Sequence, residues 1–155
     1  MNSRTLQEKA RPAKMLLVED NRGDVLLMQR AFAKSGVPYE FTVARSGEEA
    51  LTMLYADDAP CECDMILLDL NLPGMSGHEV LRKLKGDERF KQIPIFVLSS
   101  SRAEEDVITS YEDHANCYLV KPHSIDDLYE IARRIGQFWY SIVVLPNDEE
   151  RRHIA

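Results

Sequence analysis

At 155 residues the chain is long enough for one domain with a sizeable core, and its 45% hydrophobic and 29% charged residues suit a folded globule. Twenty-six acidic against 19 basic residues leave a net charge of −7, which argues against a nucleic-acid binder. No apolar run reaches the length of a membrane span.

Met1 to Lys14 is polar and mildly basic and lacks the apolar stretch of a signal peptide, so a cytoplasmic protein is expected, with 1–13 as a flexible segment. The first strand is read at 14–19, where Met15-Leu16-Leu17-Val18 runs into Glu19-Asp20. A helix over about 22–35 follows, with Val25, Leu26, Met28, Ala31 and Phe32 at helical spacing. The second strand, 39–44, leads through the capping residue Ser46 to a helix at 47–56. The third strand, 64–68, is solid hydrocarbon in Met65-Ile66-Leu67-Leu68 and ends on Asp69, ahead of Leu70-Asn71-Leu72-Pro73-Gly74-Met75-Ser76-Gly77. After a helix at 76–86, Ile95-Phe96-Val97-Leu98 in the strand 94–99 runs into Ser99-Ser100-Ser101. A helix at 103–113 precedes the last strand, 116–120, in which Cys117-Tyr118-Leu119-Val120 runs into Lys121-Pro122. Ser124 opens a longer helix to about 140, and Gly36, Pro38, Pro60, Pro94 and the Pro73-Gly74 pair punctuate the connections.

Alternating strands and helices with near-continuous apolar strands predict an α/β fold: a doubly wound five-stranded parallel sheet with flanking helices. Ligands of such sheets sit outside the carboxyl ends of the strands. That rule gathers Glu19, Asp20, Asp69, Ser99 and Lys121 into one crevice. A carboxylate delivered by a buried strand onto a Pro/Gly loop is placed for chemistry. Three carboxylates together repel one another and hold protons, a conflict that a hard divalent cation such as Mg²⁺ resolves through oxygen ligands. A metal, a lysine and a hydroxyl suit a phosphoryl group, with a carboxylate as nucleophile and an aspartyl-phosphate as product. Taken singly, each motif has an ordinary explanation: a helix cap at Glu19-Asp20, turns at Ser99-Ser100-Ser101 and Lys121-Pro122. Their joint placement at the ends of four strands is what carries the reading.

Leu17-Val18-Glu19-Asp20-Asn21, Asp69 through Gly77, Leu98-Ser99-Ser100 and Tyr118-Leu119-Val120-Lys121-Pro122 together resemble the receiver domain of two-component response regulators, over about 14–138. The resemblance implies a flavodoxin-like receiver that takes a phosphoryl group from a sensor histidine kinase and switches a protein-interaction surface. It implies Asp69 as phosphoacceptor, and Glu19, Asp20, Asp69 and the Asn71 carbonyl as Mg²⁺ ligands. Ser99 matches the hydroxyl that meets the phosphoryl group, Lys121 the family's lysine, and Tyr118 its switch aromatic. Asn71 and Ser101 flank the phosphoryl position and tune its lifetime. Pro122 matches a proline whose preceding bond is usually cis in the family. Serine stands at 99 where threonine is commoner, and Ser100 is larger than the usual alanine; these touch rates rather than the chemistry.

Beyond the receiver, 139–155 reads as an extension. Phe138, Trp139, Tyr140, Ile142, Val143, Val144 and Leu145 make an apolar run suited to folding back or, preferably, to pairing with a second copy. This tail resembles stand-alone regulators associated with bacterial phytochrome kinases, which implies a homodimer through the last helix, last strand and extension. Cys61, Cys63 and Cys117 lack a fourth ligand at metal-binding spacing and read as reduced, structural thiols. His78, His114, His123 and His153 are read as surface or capping residues. No helix-turn-helix module is legible after 140, so the output is expected to be another protein or a relay. Three rivals remain: a phosphorylation-independent interaction module on the same fold, a nucleotide or flavin binder, and a Mg²⁺-dependent phosphatase with an aspartyl-phosphate. The binder lacks a Gly-rich phosphate loop after the first strand, and the phosphatase needs a second aspartate two residues on, where this chain has Asn71.

Overall fold

The computed structural model describes residues 12–58, 60–100 and 103–141. Strands β1 (Ala13–Val18), β2 (Tyr39–Ala44), β3 (Met65–Leu68), β4 (Ile95–Ser99) and β5 (Cys117–Val120) alternate with helices α1 (Arg22–Lys34), α2 (Gly47–Tyr55), α3 (Gly77–Lys85), α4 (Glu104–Glu112) and α5 (Ile125–Ser141). The strands form one sheet in the order β2-β1-β3-β4-β5, parallel throughout. The expected doubly wound α/β sheet is therefore observed, with its switch point between β1 and β3.

Both faces of the sheet are covered, which is why the strands lack polar alternation. Leu16, Val18, Ile66, Leu68, Ile95 and Val97 pack against Ala50 and Leu54 of α2 and Val80, Leu81 and Leu84 of α3. The intervening residues Met15, Leu17, Met65, Leu67 and Leu98 face the other way, onto Met28, Ala31 and Phe32 of α1 and Leu128 and Ala132 of α5. Successive side chains of a strand point to opposite faces, so one hydrophobic run serves two cores. Each fully buried aliphatic side chain contributes roughly 2 kcal/mol by area.

Side chains cap the starts of four helices, and Ala103 before α4 makes no such bond. The side chains of Asn21, Ser46, Ser76 and Ser124 accept the N–H groups of Asp24, Glu49, Glu79 and Asp127, so Ser46 and Ser124 act as the sequence suggests. Strand β4 starts one residue after Pro94, which has no N–H to give. Next to it the Asn116 side-chain carbonyl accepts the Ile95 N–H at 2.7 Å. The Lys85 ammonium closes this corner, donating to the carbonyls of Lys91 and Ile93 and to Asn116 Oδ1. Helix α5 continues to Ser141, so the boundary expected at 138/139 falls inside a helix. Trp139 and Tyr140 are thus helical, whereas Ile142, Val143, Val144 and Leu145, like 1–11, lie outside the described residues.

Two expectations are corrected. No peptide bond among the described residues is cis, so Lys121–Pro122 is trans, the lower-energy isomer even before proline. His78, expected in a surface or capping role, is half-buried in the first turn of α3. It sits between α3 and α4 with Nε2 3.4 Å from Asp106 Oδ1 and Nδ1 4.0 Å from Asp113 Oδ2. His114, with φ 69°, does close α4 in the left-handed conformation.

Candidate functional site

Register brings the polar residues together. Val18 lies opposite Leu68, and the N–H groups of Glu19 and Asp69 continue the ladder onto Ala44 and Val18 carbonyls at 3.0 Å each. Ser99 lies opposite Val120, and the Lys121 N–H donates to the Ser99 carbonyl at 2.8 Å. Four neighbouring strands thus end at one level and present Glu19, Asp20, Asp69, Ser99 and Lys121 on one rim.

The acids cluster tightly. Carboxylate oxygens of Glu19, Asp20 and Asp69 lie within 4.8 Å of one another, with Asp20 exposed and the other two buried. The Lys121 ammonium donates to Glu19 Oε2 at 2.6 Å, Asp69 Oδ2 at 3.1 Å and Asp24 Oδ2 at 3.1 Å. The Asn21 and Asn71 N–H groups donate to Glu19 Oε1 at 3.1 Å and Asp69 Oδ1 at 3.0 Å. Burial pushes the Glu19 carboxyl up to about 7, against the hydrogen bond from Lys121, with the charge of Asp69 adding to the rise. Burial alone would lower Lys121, but its bond to Glu19 and the charges of Asp69 and Glu19 outweigh that and raise it. One lysine does not neutralise three clustered carboxylates. The all-oxygen donor set with one exposed member fits a hard divalent cation with room for water.

Other predicted residues fall around this centre. Ser99 is fully buried at the end of β4, Asn71 is exposed beside Asp69, and Tyr118 is half-buried against the core formed by α2, α3 and the sheet. Ser101 lies outside the described residues. Burial pushes the Cys117 thiol up to about 11 and raises that of Cys61 as well.

Sequence reasoning missed three contributors. Asp24, in the first turn of α1, reaches the ammonium of Lys121. Glu48 of α2 accepts the Met75 N–H at 2.8 Å and braces the loop after Asp69. A Cβ on Gly77 would stand 2.4 Å from the Asp69 carbonyl oxygen and 2.5 Å from the Leu70 Cα, so only glycine lets α3 start against the strand that carries Asp69. Its signal was present, a glycine closing the Pro-Gly loop, but the contact behind it was not.

The response regulator receiver domain model matches residues 15–133, and the chain belongs to that family. Fold and site thus define a receiver of two-component signalling, which works through phosphorylation and not as a conventional metabolic enzyme. Among its relatives, response regulator Rcp1 of Synechocystis sp. is 39% identical over 146 residues, covering 91% of this chain and 99% of Rcp1. The crystal structure of the phosphorylated cyanobacterial phytochrome response regulator RcpA superposes with a TM-score of 0.80 at 43% identity, over 88% of this chain and all (100%) of that one. The Mn²⁺-bound form of Rcp1 gives 0.78 at 40% identity, over 87% and 99% of the two chains. Among the described residues no helix is long and apolar enough to cross a membrane.

Proposed function

We propose that Asp69 is the phosphoacceptor, that Glu19, Asp20, Asp69 and the Asn71 carbonyl hold Mg²⁺, and that a sensor histidine kinase is the phosphoryl donor. The observation that carries this reading is the meeting of three carboxylates and one lysine at the carboxyl ends of β1, β3 and β5. An Asp69 carboxylate oxygen forms the new O–P bond in line with the P–N bond of a phosphohistidine. The P–N bond breaks, and its electron pair leaves on the imidazole, which takes a proton from solvent. The Asn71 N–H fixes the Asp69 carboxylate through Oδ1, and Lys121 supplies a positive charge to the equatorial oxygens. Mg²⁺, when bound, neutralises those oxygens and removes the repulsion between Asp69 and the incoming phosphoryl group.

In this reading Ser99 turns to meet the phosphoryl group and Tyr118 repacks with it, shifting the face around β5 that a target protein recognises. Asn71 and Ser101 tune the lifetime of the ester. Relatives that are phytochrome response regulators support a phytochrome-type kinase as the donor. Phe138, 48% exposed near the end of α5, supports a homodimer formed by α5 with the extension that follows. A cytoplasmic location accords with such a partner.

The test is intact mass after incubation with acetyl phosphate and Mg²⁺, wild type beside Asp69→Asn. One labile phosphoryl group on the wild type alone, lost when Mg²⁺ is omitted, is the expected result. No gain under any condition would refute the assignment.

A further inference from the structure

Lys121 has three ammonium hydrogens, and three carboxylates take them. Two of those partners have other duties in the reading above. Glu19 and Asp69 belong to the acidic cluster that fits a cation, and Asp69 also becomes the ester. Asp24 has no such duty. It lies outside that cluster, on α1, and its side chain is 41% exposed where Glu19 and Asp69 are 3% and 7%. It is therefore the one acceptor of the ammonium whose oxygens stay the same throughout the reaction.

Local structure fixes Asp24 for this. The Asn21 side chain accepts the Asp24 N–H at 3.0 Å, so the first turn of α1 is capped without help from the Asp24 carboxylate. That carboxylate spans 97 residues of sequence to Lys121. A helix that needed only a cap or a favourable dipole charge would leave Asp24 in solvent.

Resting on the assignment of Asp69 as phosphoacceptor, we propose that Asp24 is a positioning residue for phosphoryl transfer, anchoring the Lys121 ammonium while its other two acceptors are drawn into the reaction. A lysine head on a four-carbon stem is mobile, and a catalytic charge displaced by about 1 Å can lose up to about a hundredfold in rate. With the buried stem still limiting its movement, loss of this one anchor slows phosphorylation of Asp69 about tenfold.

The experiment compares wild type, Asp24→Ala and Asp24→Asn for the rate of phosphorylation by acetyl phosphate at saturating Mg²⁺. It adds Mn²⁺ affinity by electron paramagnetic resonance, thermal melting, and the ¹⁵N ammonium resonance of Lys121. Asp24→Ala should be slower by about tenfold, with the Lys121 resonance broadened by exchange and with Mn²⁺ affinity and melting held within about twofold and about 2 °C of wild type. Asp24→Asn keeps a carbonyl acceptor and should recover part of the rate. An Asp24→Ala rate equal to or above wild type overturns the proposal. So does a loss of rate matched by a loss of Mn²⁺ affinity, which would make Asp24 a charge of the metal site. Failure of wild type itself to be phosphorylated would instead refute the Asp69 assignment on which the proposal rests.

Discussion

Replacing Glu19 by glutamine should stabilise the metal-free protein at alkaline pH, by an amount the site itself sets. The Glu19 side chain is 3% exposed, and burial beside Asp69 moves its carboxyl from 4.5 to about 7. The folded state therefore binds this proton more tightly than the unfolded chain. Its stabilising contribution is fully present below pH 4.5 and is lost as pH rises through about 7. The gap between the two values corresponds to about 3 kcal/mol. Glutamine removes that penalty but has one oxygen for the two acceptor roles of Glu19, toward Lys121 and the Asn21 N–H, which costs about 1 kcal/mol. A net gain of about 2 kcal/mol for Glu19→Gln is expected near pH 8, shrinking to nothing or reversing near pH 5. Urea unfolding of both proteins in a chelator across that range measures it. Excess Mg²⁺ should reverse the order at high pH, because a cation makes the charged carboxylate the favoured form. Stability curves for the two proteins that run parallel from about pH 5 to about pH 8 in chelator would refute the reasoning.

Gly77→Ala forces a Cβ onto the Asp69 carbonyl oxygen and should cost about 1–3 kcal/mol while slowing phosphorylation of Asp69; urea titration and the mass assay check the two effects, and a silent substitution would contradict the contact. Lys85→Met strips the carbonyls of Lys91 and Ile93 and Asn116 Oδ1 of one shared donor and should destabilise by about 1–3 kcal/mol, read from thermal melting. Truncation after Gln137 should convert a dimer to a monomer in light scattering; an unchanged mass per particle relative to the full chain would remove the C-terminal arm from the dimer.

The family and the centre of the site were legible before any coordinates because they depend on where strands end. Met15 to Val18, Met65 to Leu68 and Ile95 to Leu98 are apolar on both faces, which only a covered parallel sheet accommodates, and each run stops at a polar residue. Parallel strands then put those stops on one rim whatever their order. Sequence alone thus determined the sheet, the acids, the hydroxyl and the lysine.

Which side chains from the helices join that rim is another matter, decided by tertiary structure. Asp24 looks like an ordinary first-turn acid, and nothing within α1 says that its turn faces the end of β5. Likewise, Glu48 meets the loop after Asp69 because α2 and α3 pack side by side, and His78 lies between Asp106 and Asp113 because α3 and α4 do. The elevated Glu19 carboxyl is a product of burial, which no residue type encodes. Hydrophobic pattern reports a residue's own face, whereas these contacts depend on the rotation and depth at which separate elements pack, fixed only when the two cores close on either side of the sheet.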